Sequence, residues 1–218
     1  MRGFALIFAL LALCGAKAQQ AQQPPKDSIK TLSSIAVRID VAAPLMEAIG
    51  MGCQGYEGAA RIGLWNKLFP TVEGGYGKCN YKDESTKIGS KVRGPYFRIG
   101  ADYNFTKKNK RHSRFMFGVR YGFSTYKYDI DYPTPDYANP SVMVGTNMKD
   151  FSGSAHWLEV GINLETRLWK MVGIGWALRY KFRLSESDDP IGAPWAVPGF
   201  GESGSSAIGG HFYIGVEF

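Results

Sequence analysis

The sequence predicts an all-β fold: one eight-stranded antiparallel up-and-down transmembrane β-barrel. Three observations lead there. Eight segments (33–42, 59–66, 68–78, 95–105, 114–126, 154–168, 172–184 and 207–218) alternate apolar and polar residues with a period of two, the period of a strand whose faces meet different surroundings. The connections alternate long and short: 43–58, then Lys67 alone, then 79–94, 106–113, 127–153, 169–171 and 185–206. Outer-membrane barrels have this rhythm, with short turns on one side and long loops on the other. Finally, charge is sorted by parity. The segments hold Arg38, Arg61, Arg98, Arg114, Arg120, Arg167, Arg179 and Arg183, with Asp40, Glu73, Asp102, Glu159, Glu165 and Glu217, all on the polar face.

The chain starts with Arg2 and an apolar run from Phe4 to Leu13, followed by Ala16-Lys17-Ala18. This is the pattern of a secretory signal cleaved after residue 18. The run is about half the length of a membrane-spanning helix. Residues 19–31 then read as a flexible periplasmic leader and 32–218 as the barrel domain. The net charge of +7 falls to +5 once Arg2 and Lys17 leave. Export and the scatter of that charge exclude nucleic acid as a partner. Mean hydropathy is slightly negative, as expected where lipid-facing and lumen-facing residues average out. Cleavage removes Cys14 and leaves Cys53 and Cys79, which in an exported chain imply one disulfide, here stapling the first two long loops.

The fifth segment shows the pattern best. Phe115, Phe117, Val119, Tyr121 and Phe123 share one face; Arg114, Met116, Gly118, Arg120, Gly122 and Ser124 share the other. The seventh sets Val172, Ile174, Trp176, Leu178, Tyr180 and Phe182 against Gly173, Gly175, Ala177, Arg179, Lys181 and Arg183. A soluble barrel would alternate too, with its apolar face inside. The composition of the polar face decides against that. It is rich in Gly and Arg and nearly devoid of Lys, whereas a wet strand face avoids Gly. Gly leaves room in a crowded interior, and Arg pairs with carboxylates through several donors. The lumen is therefore expected to hold a packed ion-pair network of Arg38, Asp40, Arg61, Glu73, Arg98, Asp102, Arg120, Glu159, Glu165, Arg167, Arg179, Arg183 and Glu217, the charges paired because they are buried. Arg120→Ala is then expected to strand a buried acid.

Aromatic rings are expected at both bilayer boundaries: Trp65, Phe69, Phe105, Phe115, Trp169 and Phe218 at the short-turn end, and Tyr76, Tyr81, Tyr96, Tyr126, Tyr128 and Trp157 at the long-loop end. Residues 43–51 read as a short loop helix. The basic turn from Lys107 to His112 reads as solvated, and the Gly199–Gly204 stretch as a mobile loop.

The chain ends His-Phe-Tyr-Ile-Gly-Val-Glu-Phe, with Phe212, Ile214, Val216 and Phe218 on one face. This resembles the closing strand of bacterial outer-membrane barrels. The resemblance implies that these four residues form an assembly signal read by the outer-membrane insertion machinery. With Ala16-Lys17-Ala18, its glutamine-rich successor and the strand from Gly94 to Phe105, the whole mature chain resembles small outer-membrane barrels of the OmpA/OmpX type. It is more similar still to the uncharacterised barrel families of Bacteroidota. That implies residence in the outer membrane of a Gram-negative cell envelope and transfers no catalytic residue.

For chemistry, Ser154 and His156 share the lipid-facing parity at the outer end of the sixth segment. Such a pair would be the minimum for attack on a lipid ester, but no acid shares their face. His211 faces the lumen, where it reads as a member of the network. No Cys/His cluster has metal spacing, and no cofactor motif occurs. The outer-rim cations Lys78, Lys82, Lys87, Lys91 and Arg93 could meet lipid A phosphates. Pro133, Pro135, Pro140, Pro190, Pro194 and Pro198 stiffen the two longest loops, where partner binding would reside. The leading expectation is a structural or interaction protein whose partners are membrane lipids, including lipid A, and an extracellular or periplasmic protein. The alternatives are a lipid A- or phospholipid-modifying enzyme and a small channel.

Overall fold

The computed structural model describes residues 31–42, 53–106, 113–135, 143–187 and 194–218. The signal peptide, nearly all of the leader, the helix expected at 43–51, the turn 107–112, Pro140 and Pro190 lie outside them. The described strands are β1 (Leu32–Asp40), β2 (Cys53–Leu64), β3 (Leu68–Lys82), β4 (Gly89–Asn104), β5 (Ser113–Pro135), β6 (Met143–Trp169), β7 (Val172–Glu186), β8 (Ala196–Val197), β9 (Gly201–Glu202) and β10 (Ser206–Glu217). Eight of them close a barrel in the order β1-β10-β7-β6-β5-β4-β3-β2, and β8 pairs with β9 in a separate small hairpin.

Each strand is antiparallel to its neighbours. Closure is made by β1 and β10, in register from Ala36↔Glu217 to Asp40↔Tyr213. Two backbone hydrogen bonds extend the seam to the last residue, Ile35 N–H to Phe218 O at 3.2 Å and Phe218 N–H to Ile35 O at 2.9 Å. Between β2 and β3, Trp65 and Asn66 both have positive φ (51° and 55°), and Lys67 N–H donates to Leu64 O. Two consecutive left-handed residues give a turn whose twist matches that of a hairpin.

The side chains sort as the parity demands. Ile35, Val37, Phe97, Ile99, Phe117, Val119, Trp176, Leu178, Phe212 and Ile214 point outwards and are exposed, while Arg61, Arg98, Asp102, Arg120, Glu159 and Arg179 point inwards and are buried. On β5 the outward apolar stretch covers residues 115–123, matching the roughly nine to eleven tilted residues that cross a bilayer core.

Five strands run at least four residues further than the alternation alone implies. β2 begins at Cys53, β3 continues to Lys82, β4 begins at Gly89, β5 reaches Pro135 and β6 starts at Met143. The second and third long loops are thus largely paired hairpins. The reason is a change of sign. Below Ser124 the odd positions of β5 are apolar and face out. Above it the even positions Tyr126, Tyr128 and Ile130 are apolar and buried inside, and Thr125 and Lys127 are exposed. The pairing with β4 keeps one register through this point. The backbone does not slip; the surroundings change from hydrocarbon to water, and the apolar parity changes sides with them.

This corrects the expected outer aromatic girdle. Tyr96, Tyr126, Tyr128 and Trp157 are inside the barrel, and of the six rings expected there Tyr76 alone is fully outward, opposite the exposed Tyr56. At the short-turn end Trp65, Phe105, Phe115, Trp169 and Phe218 are exposed as expected, but Phe69 is completely buried in the lumen. The disulfide Cys53–Cys79 is present. It joins directly opposed residues of β2 and β3 and so ties a hairpin rather than two separate loops.

Candidate functional site

The lumen is filled in three layers. At the short-turn end, Glu165 accepts two hydrogen bonds from the Arg61 guanidinium, at 2.7 and 2.9 Å. Glu217 accepts two from Arg114, at 2.6 and 2.8 Å. The Arg61 and Arg114 planes lie over the Phe69 ring at 4.8 and 5.1 Å, and Arg38 lies over Tyr213 at 4.6 Å. Arg38 reaches Glu165 at 3.7 Å, and Arg167 at the rim reaches Glu217 at 3.6 Å.

The middle layer centres on Glu73. Its two oxygens meet Arg120 Nε (2.8 Å), both terminal nitrogens of Arg179 (2.7 and 2.9 Å) and Arg98 Nε (3.0 Å). Arg120 also grips Asp102 with two bonds of 2.9 Å, and Asn163 donates to the same carboxylate at 2.7 Å. Arg98 completes its shell with Glu57 and Glu159, and Glu159 further binds Arg179 at 3.2 Å. Planar guanidinium forks answering bidentate carboxylates are the arrangement that offsets the cost of taking charge out of water. Space between strands comes from glycine: a Cβ on Gly118 would lie 2.0 Å from Asp102 Oδ1 and 2.5 Å from Arg120 Nη1.

Above the charges sits an apolar plug. Trp157 is fully buried, donates its indole N–H to Glu159 at 2.7 Å and meets Phe200 edge-on at 5.8 Å. Val92, Tyr126, Tyr128, Ile130 and Val197 pack around them. The β8–β9 hairpin brings Phe200 inwards. Lys181 holds its turn, donating to Gly199 O at 2.7 Å and Phe200 O at 3.0 Å. Gly199 is left-handed (φ 79°), and a Cβ there would strike the Tyr96 ring at 2.5 Å. Trp195 stacks on Tyr81 at 3.9 Å. The Gly199–Gly204 stretch, expected to be mobile, is therefore tied into the mouth at its first residues.

Arg183 stands apart from the network. It pairs with Glu186 at the mouth and donates to Ser203 Oγ at 3.0 Å. Asp40 bonds His211 Nδ1 at 2.6 Å. Asp40, Glu57 and His211 bring ligand atoms within 4.8 Å of one another. Each is already engaged, Glu57 by Arg98 and by the Tyr96 hydroxyl at 2.8 Å. His211 Nε2 also lies 3.4 Å from Arg98, a cationic neighbour that opposes a metal ion. Ser154 and His156 do face outwards together, yet they do not bond each other. His156 Nδ1 pairs with the Tyr121 hydroxyl at 2.7 Å, and the Ser154 N–H donates to Ser187 Oγ at 3.0 Å. Phe212 and Ile214 lie exposed on the outer wall, and Phe218 closes the seam.

Sequence reasoning missed Glu57, which it left in a loop although Glu57, Ala59 and Arg61 continue one parity. Arg114, on the inward parity with the other arginines, joins the network through Glu165 and Glu217. Sequence reasoning also missed the plug, whose signal is the sign change above Ser124.

A family model described as "Domain of unknown function (DUF6048)" matches residues 2–218. The chain belongs to the DUF6048 family. No curated protein matches it. Among solved structures this DUF6048 protein is similar to a major outer membrane protein of Thermus thermophilus, with 14% identity, a TM-score of 0.50, and coverage of 85% of this chain and 99% of the other. It is also similar to Ail, the attachment invasion locus protein of Yersinia pestis (11% identity, TM-score 0.41, 85% and 96% covered). A third is CarO of Acinetobacter baumannii (10%, 0.43, 84% and 96%). At such identities the likeness to the Thermus protein speaks for the barrel fold alone.

Proposed function

We propose that this DUF6048 protein is a closed barrel of the bacterial outer membrane, exported by a cleaved signal peptide, that acts as a structural or interaction protein through its long-loop end. The observation that carries this reading is a lumen blocked at two levels, by the Glu73-centred ion pairs and by Trp157 and Phe200. Two cavities among the charges are about 20 Å³ each, room for about one water apiece. Such a lumen speaks against a channel. The orientation follows from the short turns and the closing seam at one end and the water-facing hairpins at the other. In the mouth, a cleft of about 290 Å³ lies between the β8–β9 hairpin and β2–β4, lined by Val92, Tyr96, Trp195, Val197 and Pro198 and reaching Glu57, Lys181 and His211 of the lumen. Aromatic and proline side chains on a stiff scaffold favour recognition of a partner.

Reconstitution in planar bilayers tests the closed lumen. No discrete conductance steps are expected from the wild type. Reproducible steps at moderate voltage would reinstate the channel. For the interaction half, a photo-crosslinking residue at Glu202 in intact cells is expected to yield a defined adduct. Its absence there and at Lys87 would remove the support for a partner at this end.

A further inference from the structure

We propose that Lys78, Arg93 and Lys127 form a binding row for the phosphate groups of a phosphorylated glycolipid in the outer leaflet. The three are direct cross-strand neighbours: Lys78 pairs with Arg93 across β3–β4, and Arg93 with Lys127 across β4–β5. All three point outwards and are exposed. Like charges directly opposite one another destabilise a sheet, and among the described residues none of these three forms an ion pair. One step beneath them on the same faces lie the pairs Tyr76–Pro95 and Thr125–Ser154, without a carboxylate. Asp129, two residues along β5 from Lys127, is opposite Lys91 in the row above. Three adjacent cations with no counter-charge are what an anionic ligand would stabilise.

The height of the row identifies the ligand's surroundings. Below the row that holds Tyr76, Thr125 and Ser154 the outer wall is apolar, with Phe97, Ile99, Tyr121 and Val119 exposed towards hydrocarbon. Directly above, the apolar parity has turned inwards. The row thus lies where acyl chains give way to headgroups. It also overhangs an open cleft of about 570 Å³ on the outer wall, floored by Thr125, Ser152 and Ser154 and flanked by Tyr76, Arg93 and Lys127. That volume falls within the range of ligand sites. Hydroxyls offer donors for sugar or phosphate oxygens, and the Arg93 fork suits a phosphate bidentately. The feature is one-sided, because the next strand places Gln54 beside Lys78. Other rim cations contribute less: Lys91 is paired with Asp131 at 3.4 Å, and Lys82 and Lys87 sit higher in the hairpin. The proposal rests on the outward placement of the long-loop end and not on the closed lumen.

Native mass spectrometry of the full-length mature protein, released from mixed micelles containing bisphosphorylated lipid A, dephosphorylated lipid A or phosphatidylglycerol, tests this. Wild-type protein is expected to retain bisphosphorylated lipid A. The K78Q/R93Q/K127Q variant, shown to be folded by heat-modifiable gel migration, is expected to lose about tenfold or more of that occupancy. A K82Q/K87Q variant is expected to keep it. Equal retention by the triple variant, or equal retention of the dephosphorylated lipid by wild type, would overturn the phosphate row. Equal retention of phosphatidylglycerol would overturn the assignment to a glycolipid.

Discussion

Glu73→Ala is expected to be the most damaging single substitution in the barrel, lowering stability by about 3–5 kcal/mol. Glu73 accepts hydrogen bonds from Arg120 and Arg179 and forms an ion pair with Arg98 at 3.0 Å, three guanidinium groups on three different strands. Those arginines keep other partners, Asp102 for Arg120 and Glu159 for Arg98 and Arg179. After the change, however, the guanidinium nitrogens that converge on one buried carboxylate would face an apolar methyl. A charge left partly unpaired in a dry interior costs more than the pair contributed. Glu73→Gln retains an acceptor of similar shape and is expected to lose less. Urea unfolding of refolded protein, read by heat-modifiable gel migration, measures both variants. A Glu73→Ala midpoint equal to wild type would mean that the lumen is wet enough to solvate the stranded arginines.

Trp157→Ala is expected to follow, at about 3–5 kcal/mol, the usual cost of truncating a buried Trp. The indole is fully buried and fills the space left by Gly122, where a Cβ would lie 2.3 Å from the ring. Its removal opens a cavity beneath Phe200 and deprives Glu159 of a neutral donor at 2.7 Å. The plug should loosen as well, so protease cleavage within residues 194–205 of folded protein is expected to accelerate. Unchanged stability together with unchanged cleavage would show that Phe200 and its neighbours, not Trp157, hold the mouth shut.

The barrel and the contents of its lumen were legible because a strand's period is two and charge is intolerant of lipid. Arg120, sitting between Val119 and Tyr121, can only be on the other side of the wall from them. The pairings themselves were not legible. Arg61 with Glu165, or Arg179 with Glu73, join strands that are not neighbours in the barrel, and parity says which residues share the lumen without saying at what height they meet. The upper third was misread for a different reason. An alternation whose apolar side changes, as at Ser124, looks like the end of a strand when one polarity is assumed throughout. Tyr126, Tyr128 and Ile130 keep the alternation and reverse its sense. Tyr126 and Tyr128 were therefore placed at a lipid boundary, and Ile130 in a loop, when all three belong to an internal apolar cap. The hairpin at residues 196–202 had no periodicity to announce it, since β8 and β9 have two residues each. Its order comes from tertiary contacts with Lys181, Tyr96 and Trp157.

The central claim is that one continuous strand shows apolar side chains to lipid below Ser124 and to the lumen above it. Nitroxide labels placed singly along the outer face of β5 in lipid bilayers address it most directly. At 117, 119, 121 and 123 the labels should be reached by oxygen from the hydrocarbon and not by a water-soluble nickel complex. At 125, 127 and 129 the order should reverse, and a label at Met116 should be shielded from both. Oxygen dominance continuing through 129, or nickel access at 117–121, would contradict the account.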